Sequence, residues 1–268
     1  MHDDSFRLAK KIRCHSLRMV TTAGASHIAS SLSIADIVAV LYSNILKHFP
    51  GNPLDPDRDR LLLSKGHACT AIYAVLAELA YFPLKDLETY GANGSHLMNH
   101  ISHYVPGVEF SAGALGHLLP VGAGKALFAS AQGKPWKVYV VLSDGELNEG
   151  SNWEAIMFAA HHNLSNLVAV VDKNNYQSFT TTQQTLNMDP LESKFSSFGW
   201  NVHSVDGHSH EELTSAFLSA MSWSEAPSVI IANTIKGKGV SFMENNVDWH
   251  YKNPSQEQLE SALLEVLG

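Results

Sequence analysis

The sequence predicts an α/β fold: a doubly wound, mostly parallel sheet with helices on both faces. Two observations carry this. Short apolar, β-rich runs alternate along the chain with longer stretches of helical period. The last two runs, "WNVHSV" at 200–205 and "PSVIIANT" at 227–234, hardly alternate between apolar and polar residues, so the strands are expected to be buried on both faces.

The opening segment begins with charge and then reads as an amphipathic helix over 5–22, followed by a second helix at 33–47. "RLLLS" at 60–64 is the first strand and 67–81 the helix after it. Residues 112–131 form a long small-residue helix leading into the strand "WKVYVVLS" at 136–143. A helix at 151–163 separates that strand from "NLVAVVD" at 166–172, and one at 189–198 precedes "WNVHSV" at 200–205. A helix at 209–223 leads to the strand 227–234, and 254–267 closes the chain as a helix. No internal repeat, low-complexity tract or linker interrupts this order, so one compact domain over 1–268 is expected.

Composition excludes several function classes. The chain is 45% hydrophobic and 16% charged with a net charge of −8, and it lacks a block of like charges. An acidic, evenly mixed surface argues against a nucleic-acid binder. No apolar run approaches the roughly 18 residues of a membrane span, and the N-terminus lacks the apolar centre of a secretory signal. Cys14 and Cys69 are too few for a disulfide framework, which suits a reducing, cytoplasmic setting.

Two stretches, 91–117 and 236–253, are long, rich in Gly, His and Asn, and too polar for core; long structured loops in a compact domain are usually functional. The chemistry concentrates at strand ends. Asp144 follows one strand and Asn174 the next, 174 − 144 = 30 residues later, about one strand-helix-strand unit. Ligands of an open parallel sheet sit beyond the carboxyl ends of its strands, so the two side chains can share an ion. A carboxylate, an amide oxygen, a main-chain carbonyl and phosphate oxygens make the hard set Mg²⁺ prefers. Gly145 allows close backbone approach, and the helix after it would turn free N–H groups toward a diphosphate. Taken singly, Asp144 could simply cap a helix and Asn174 close a turn. The pair at this spacing favours the ion.

Several segments carry a resemblance to a known family. "SDGELNEGSNWEA" followed by "VVDKNN" resembles the thiamine-diphosphate signature in its transketolase form. "ASHIASSLSIADIVAVLY", "LLLSKGHACTAIYAVL", "PGVEFSAGALGH" and "ANTIKGKGVSFMENNVDWH" are similar, in the same order, to the cofactor-binding half of transketolases, so the likeness covers nearly the whole chain. It implies the thiamine-diphosphate fold of the type that binds the diphosphate. By this likeness Asp144, Asn174 and the carbonyl of Tyr176 hold Mg²⁺, or Ca²⁺ or Mn²⁺ in its place. Gly116, Gly145, Glu146 and Lys236 would lie along the cofactor, and Glu149 would be a subunit-contact glutamate buried near it. His27, His67, His100 and His250 fall on the family's active-site histidines, with His250 also near the cofactor. Neutral imidazoles suit that work, each offering one donor and one acceptor.

The remaining histidines read as ordinary: His162, His208 and His210 as surface or satisfied core residues. A zinc set of His96, His100 and His103 lacks a regular helix face to aim the rings. Three positions depart from the family pattern. Ser26 and Ala29 flank His27 where glycines are usual, a change expected to displace that ring. His117 and Leu118 follow Gly116 and add bulk beside the expected cofactor channel, and Ser143 replaces the first glycine before Asp144.

The family's pyrimidine-binding domain has no counterpart in this sequence. The expectation is therefore a split enzyme: this chain is its N-terminal subunit, the partner is a separate C-terminal subunit, and the two make an α2β2 assembly. The implied reaction moves a two-carbon ketol unit from a ketose, usually phosphorylated, to an aldose. Other expectations left open are a half of a deoxyxylulose-phosphate synthase, a 2-oxoacid dehydrogenase subunit, and a catalytically silent scaffold.

Overall fold

A computed structural model describes residues 2–268. Five strands, β1 (Arg60–Leu63), β2 (Val138–Ser143), β3 (Leu167–Lys173), β4 (Asn201–Asp206) and β5 (Ser228–Asn233), form one sheet in the order β1-β2-β3-β5-β4, and every neighbouring pair is parallel. Ten α-helices are described: α1 (His2–Ala23), α2 (Ile28–Ser33), α3 (Ala35–Val40), α4 (Cys69–Glu78), α5 (Leu118–Ala131), α6 (Gly150–His161), α7 (Thr182–Leu186), α8 (Leu191–Ser197), α9 (His210–Ser222) and α10 (Gln256–Leu267).

The order of strands decides where the helices lie. From β2 to β3 and on to β4 the chain advances across the sheet, then steps back to place β5 between β3 and β4. Right-handed crossovers put helices on opposite faces when the direction reverses, so α6 and α8 share one face and α9 covers the other. Trp153 of α6 packs against Phe195 and Phe198, and α9 meets α1 and α3. The central strands are buried end to end, with Val138–Leu142, Leu167–Val171 and Val229–Ala232 at 0% exposure. Each such aliphatic side chain contributes roughly 1.5–3 kcal/mol by leaving water. The expectation of burial on both faces fails at β4: it is the edge strand and only half covered, with Ser204 and Asp206 exposed. Gly122 lets α5 settle on β2: a Cβ there would come 2.5 Å from Val140, so even alanine would lift the helix.

Four boundaries differ from the sequence reading. The helix expected at 33–47 is α2 and α3 followed by a π-helical turn at Leu41–Ile45. Nearly all of it is buried, so no polar face marks the breaks. The helix expected at 67–81 starts with a 3₁₀ turn, Gly66–Ala68, and its last α-helical residue is Glu78. The helix expected from 112 begins at Leu118, because Gly116 sits at φ +81° and breaks the period. Finally, α7 leaves no mark in the pattern: its Thr- and Gln-rich turn has no apolar period and rests on the Thr181 hydroxyl, which caps Gln184 N–H. Among the described residues no helix is long and apolar enough to cross a membrane.

Candidate active site at the strand ends

Adjacent parallel strands bring the ends of β2 and β3 together. Asp144, just beyond β2, is 4% exposed, and its two oxygens accept the backbone N–H groups of Gly145 (2.8 Å) and Asn175 (2.6 Å). Burial, then the charge of Asp172, pushes its carboxyl up to about 7. A carboxylate kept dry beside another carboxylate is in want of a cation. Asn174 is turned by its amide nitrogen, which donates to Asp172 Oδ2 at 2.9 Å, while its oxygen accepts Tyr176 N–H at 3.1 Å. Asn174 and Tyr176 line one cavity, with Asp144 bonded to the intervening Asn175, and a carboxylate, an amide oxygen and a main-chain carbonyl are the hard donor type that takes Mg²⁺.

That cavity measures about 230 Å³ and is lined by Asn174, Tyr176, Gly145, Lys65, Lys236 and His67, among others. Gly145 leaves little room: a Cβ there would come 2.7 Å from the Gln177 side chain. Lys236 is 1% exposed, with Nζ 3.0 Å from the Gln177 carbonyl and 3.2 Å from His250 Nδ1. Burial, then Lys65, lowers its amine to about 8. Two desolvated lysines beside one small cavity make an anion site.

Four histidines from distant parts of the sequence meet at the mouth. His27 lies 5.0 Å from His67, 5.0 Å from His250 and 5.9 Å from His100, ring centre to ring centre. Burial depresses all four, His27 to about 4 and His250 to about 3, so all are neutral near pH 7. Ser26 and Ala29 do not expel His27: it caps α2 at φ +73°, its N–H bonded to the His250 carbonyl at 2.9 Å. Tyr251 stands 4.7 Å from the His250 ring at the same mouth.

The two glutamates differ in burial. Glu149, expected to be buried near the cofactor, is exposed in the single chain, where it begins α6. The buried one is Glu146, at 0% exposure: it accepts from Ser64 Oγ, Gly116 N (2.9 Å) and Ser143 N (3.2 Å), tying the Gly116 loop to β2. The 3₁₀ turn Gly145–Asn148 ends at Glu149, whose extended backbone (φ −75°, ψ 121°) carries it out of the turn that holds Glu146. Sequence reasoning also missed Asp172 and Lys65. Asp172 accepts from Ser33 (2.7 Å), Lys65 (2.5 Å), Asn174 and Thr234, and Lys65 overcomes burial to hold its carboxyl below the usual range. A charged residue closing an apolar run, "NLVAVVD", was the available signal. His103 bonds Ser111 at 2.7 Å and packs on Tyr104; among the described residues no three His, Cys, Asp or Glu side chains are arranged to hold a metal.

Residues 5–262 match the family described as transketolase, thiamine diphosphate binding domain. The chain belongs to the transketolase family. It is 39% identical over 267 residues to one of the subunits of the apulose-4-phosphate transketolase of Actinobacillus succinogenes, covering 99% of this chain and 96% of that one. It is also 39% identical to the 6-deoxy-6-sulfo-D-fructose transketolase subunit SqwG of a Clostridium species, over 96% of this chain and 94% of the relative. The transketolase of Campylobacter jejuni superposes with a TM-score of 0.92 at 32% identity, covering 98% of this chain and 43% of that one. This transketolase chain thus corresponds to the cofactor-binding part of the longer enzymes and to nearly the full length of the subunits.

Proposed function

We propose that this chain is the cofactor-binding subunit of a split transketolase, holding thiamine diphosphate through Mg²⁺ and acting with a separate subunit that carries the pyrimidine-binding half. One observation carries the reading: Asn174, two buried lysines, His67 and His250 line a single cavity, with Asp144 bonded to the neighbouring Asn175 and His27 packed against both histidines. Asp144, Asn174 and the Tyr176 carbonyl hold the cation, and Ca²⁺ or Mn²⁺ can replace it. Gly145 and Gly116 admit the cofactor's diphosphate closely, and Lys236 balances its charge. Glu146 keeps the Gly116 loop in place; Glu149, exposed in the single chain, is free to meet another subunit.

When bound, the cofactor supplies the electron sink for breaking and making a carbon–carbon bond to a ketose carbonyl carbon. The histidines do the rest. His27, His67 and His100, each with one donor and one acceptor nitrogen, orient the donor's hydroxyls and exchange protons with its oxygens, and His250 serves beside the bond that cleaves. Their depressed proton affinity keeps them able to accept. The substrates are a ketose donor with an anionic tail and an aldose acceptor, since the relatives are named for a phosphorylated and a sulfonated sugar. Several of the matched relatives are named as subunits, which supports a partnered enzyme, most simply α2β2; the setting proposed for it is the cytoplasm.

Calorimetry with thiamine diphosphate and Mg²⁺, on the chain alone and with its cognate partner, tests the reading. Mg²⁺-dependent binding and ketol transfer are expected only from the pair. Strong turnover by the chain alone would remove the split, and a pair that binds no cofactor would remove the enzyme. Preference for pyruvate over hydroxypyruvate as donor would move it to the 2-oxoacid or deoxyxylulose-phosphate enzymes.

A further inference from the structure

The backbone that presents Lys236 is gripped from outside the cavity. Ile235 donates its N–H to His208 Nε2 at 2.8 Å, and the Lys238 carbonyl accepts from Arg13 Nε at 3.0 Å. Both grips end on one carboxylate. His208 Nδ1 lies 2.7 Å from Asp36 Oδ2, and Arg13 bonds both Asp36 oxygens, at 2.6 and 3.1 Å. His210 Nε2 adds a contact at 3.1 Å and is itself 2.7 Å, through Nδ1, from Ser5 Oγ. Arg13, Asp36 and His210 are buried, and none of the three lines the cofactor cavity.

The chemistry fixes the direction of the chain of bonds. Ile235 N–H can only donate, so Nε2 is the unprotonated nitrogen of His208 and Nδ1 carries the proton given to Asp36. The gripped segment has little stiffness of its own. It follows β5 without regular structure, and Gly237 and Gly239 sit at φ +82° and +95°. Its other ties are Gly237 N–H to the Ala29 carbonyl at 3.1 Å, Asn245 N–H to the Lys236 carbonyl at 2.9 Å, Gly239 N–H to Glu244 Oε1 at 3.0 Å and turn bonds within the segment itself, Lys238 N–H to the Ile235 carbonyl (3.2 Å) and Val240 N–H to the Gly237 carbonyl (3.3 Å). Without ties at Ile235 and Lys238, one residue before and two after Lys236, its ammonium would sample several positions.

We infer that Asp36, acting through His208 and Arg13, is a clamp that sets the position of Lys236 in the cavity. These three are positioning residues. The inference rests on the proposed function only for what Lys236 meets there, the diphosphate; the clamp itself is read in the chain without cofactor.

The test uses the full-length chain without cofactor and reads acetylation of Lys236 by acetic anhydride, with mass spectrometry. Lys65, also 1% exposed, is the internal reference for general loosening. His208→Gln keeps an acceptor where Nε2 stood and gives up the bond to Asp36; His208→Asn keeps the Asp36 bond and loses the acceptor for Ile235. Asn is expected to raise Lys236 acetylation about 10-fold with Lys65 unchanged, and Gln, whose acceptor Asp36 no longer holds, by a smaller factor of about 3. Equal protection in the two variants, faster reaction in Gln than in Asn, or Lys65 rising in step with Lys236 overturns the clamp. If neither variant folds, Arg13→Lys decides: it leaves a cation for Asp36 and removes the Nε–H given to Lys238, so intact protection of Lys236 there also overturns it. Cofactor titration of the wild-type pair reads the function separately. No binding there, with selective exposure of Lys236 in the Asn variant, would sink the function and leave the clamp standing.

Discussion

Asp144 and Asn175, 31 residues apart, are joined by a 2.6 Å hydrogen bond from the Asn175 backbone N–H to Asp144 Oδ2. This bond stitches the end of β2 to the end of β3. It gives Asp144 the turn-forming role that a lone Asp-Gly would suggest, while burial keeps its charge costly. The ordinary and the functional reading of that carboxylate therefore coexist, and they separate only by what each predicts.

Asp144→Asn removes the charge and sets an amide NH₂ against one of the two backbone N–H groups that the carboxylate accepts. The loss of one such bond costs about 0.5–1.5 kcal/mol of stability, offset in part by relief of the buried charge. Mg²⁺-dependent affinity of the paired enzyme for thiamine diphosphate should fall by ~100-fold or more, since a cation ligand is lost. Urea unfolding and calorimetry on the same samples check both. A stability loss with unchanged affinity would leave Asp144 a turn former only.

Asp172 and Lys65 face each other at 0% and 1% side-chain exposure, 2.5 Å apart. Asp172→Asn leaves a buried ammonium without its partner and should cost about 3–5 kcal/mol. Lys65→Met added to it should recover more than half of that loss, read as the change in urea midpoint. Additive losses in the double variant would mean the two charges are not coupled.

Gly116 stands at φ +81°, and a Cβ there would come 2.6 Å from the Glu149 Cβ and 2.7 Å from Ser151 Oγ. Gly116→Ala should therefore destabilise the chain by about 2–3 kcal/mol, from backbone strain and the clash together. The Gly116–Glu146 bond is expected to open with it, raising hydrogen exchange at the residue-116 amide. Wild-type exchange in the variant would argue that the loop is not held by Glu146.

How much of this was legible follows from which physical signal each residue leaves. Strands β2, β3 and β5 announce themselves because a buried parallel strand is apolar on both faces. The pairing of Asp144 with Asn174 shows through spacing, as adjacent strand ends sit one crossover apart. The histidines were legible only through likeness to a family, because the fold brings His27, His67, His100 and His250 together from four separate segments. Glu146 and Glu149 could not be sorted in advance: their difference in burial depends on where the turn after Asp144 ends and the backbone becomes extended, at Glu149, which no local pattern encodes. His208 reads as a satisfied histidine, which its bonds to Asp36 and Ile235 bear out. What it holds in place depends on the path of residues 234–239, which no local pattern encodes.

The chain without cofactor should lose stability to acid through the clustered histidines His27 and His250. His27 is lowered to about 4 by burial, His100 and Lys236, and His250 to about 3 by burial and Lys236. In the unfolded chain both titrate near 6.5. Between about 4 and 6.5 the unfolded state therefore binds more protons, so stability rises with pH across that window and is lost as pH falls through it. Asp144 works the opposite way, its folded carboxyl near 7 favouring the acid side, so the net slope mixes both signs. A difference measurement isolates the histidine. His27→Gln should remove about 1–2 kcal/mol of the stability change between pH 6.5 and 4.5, allowing for a partly exposed ring. Urea unfolding at the two pH values, compared with wild type, checks this. Parallel profiles for the two proteins would show that His27 keeps its ordinary proton affinity in the fold and does not enter the site as a neutral base.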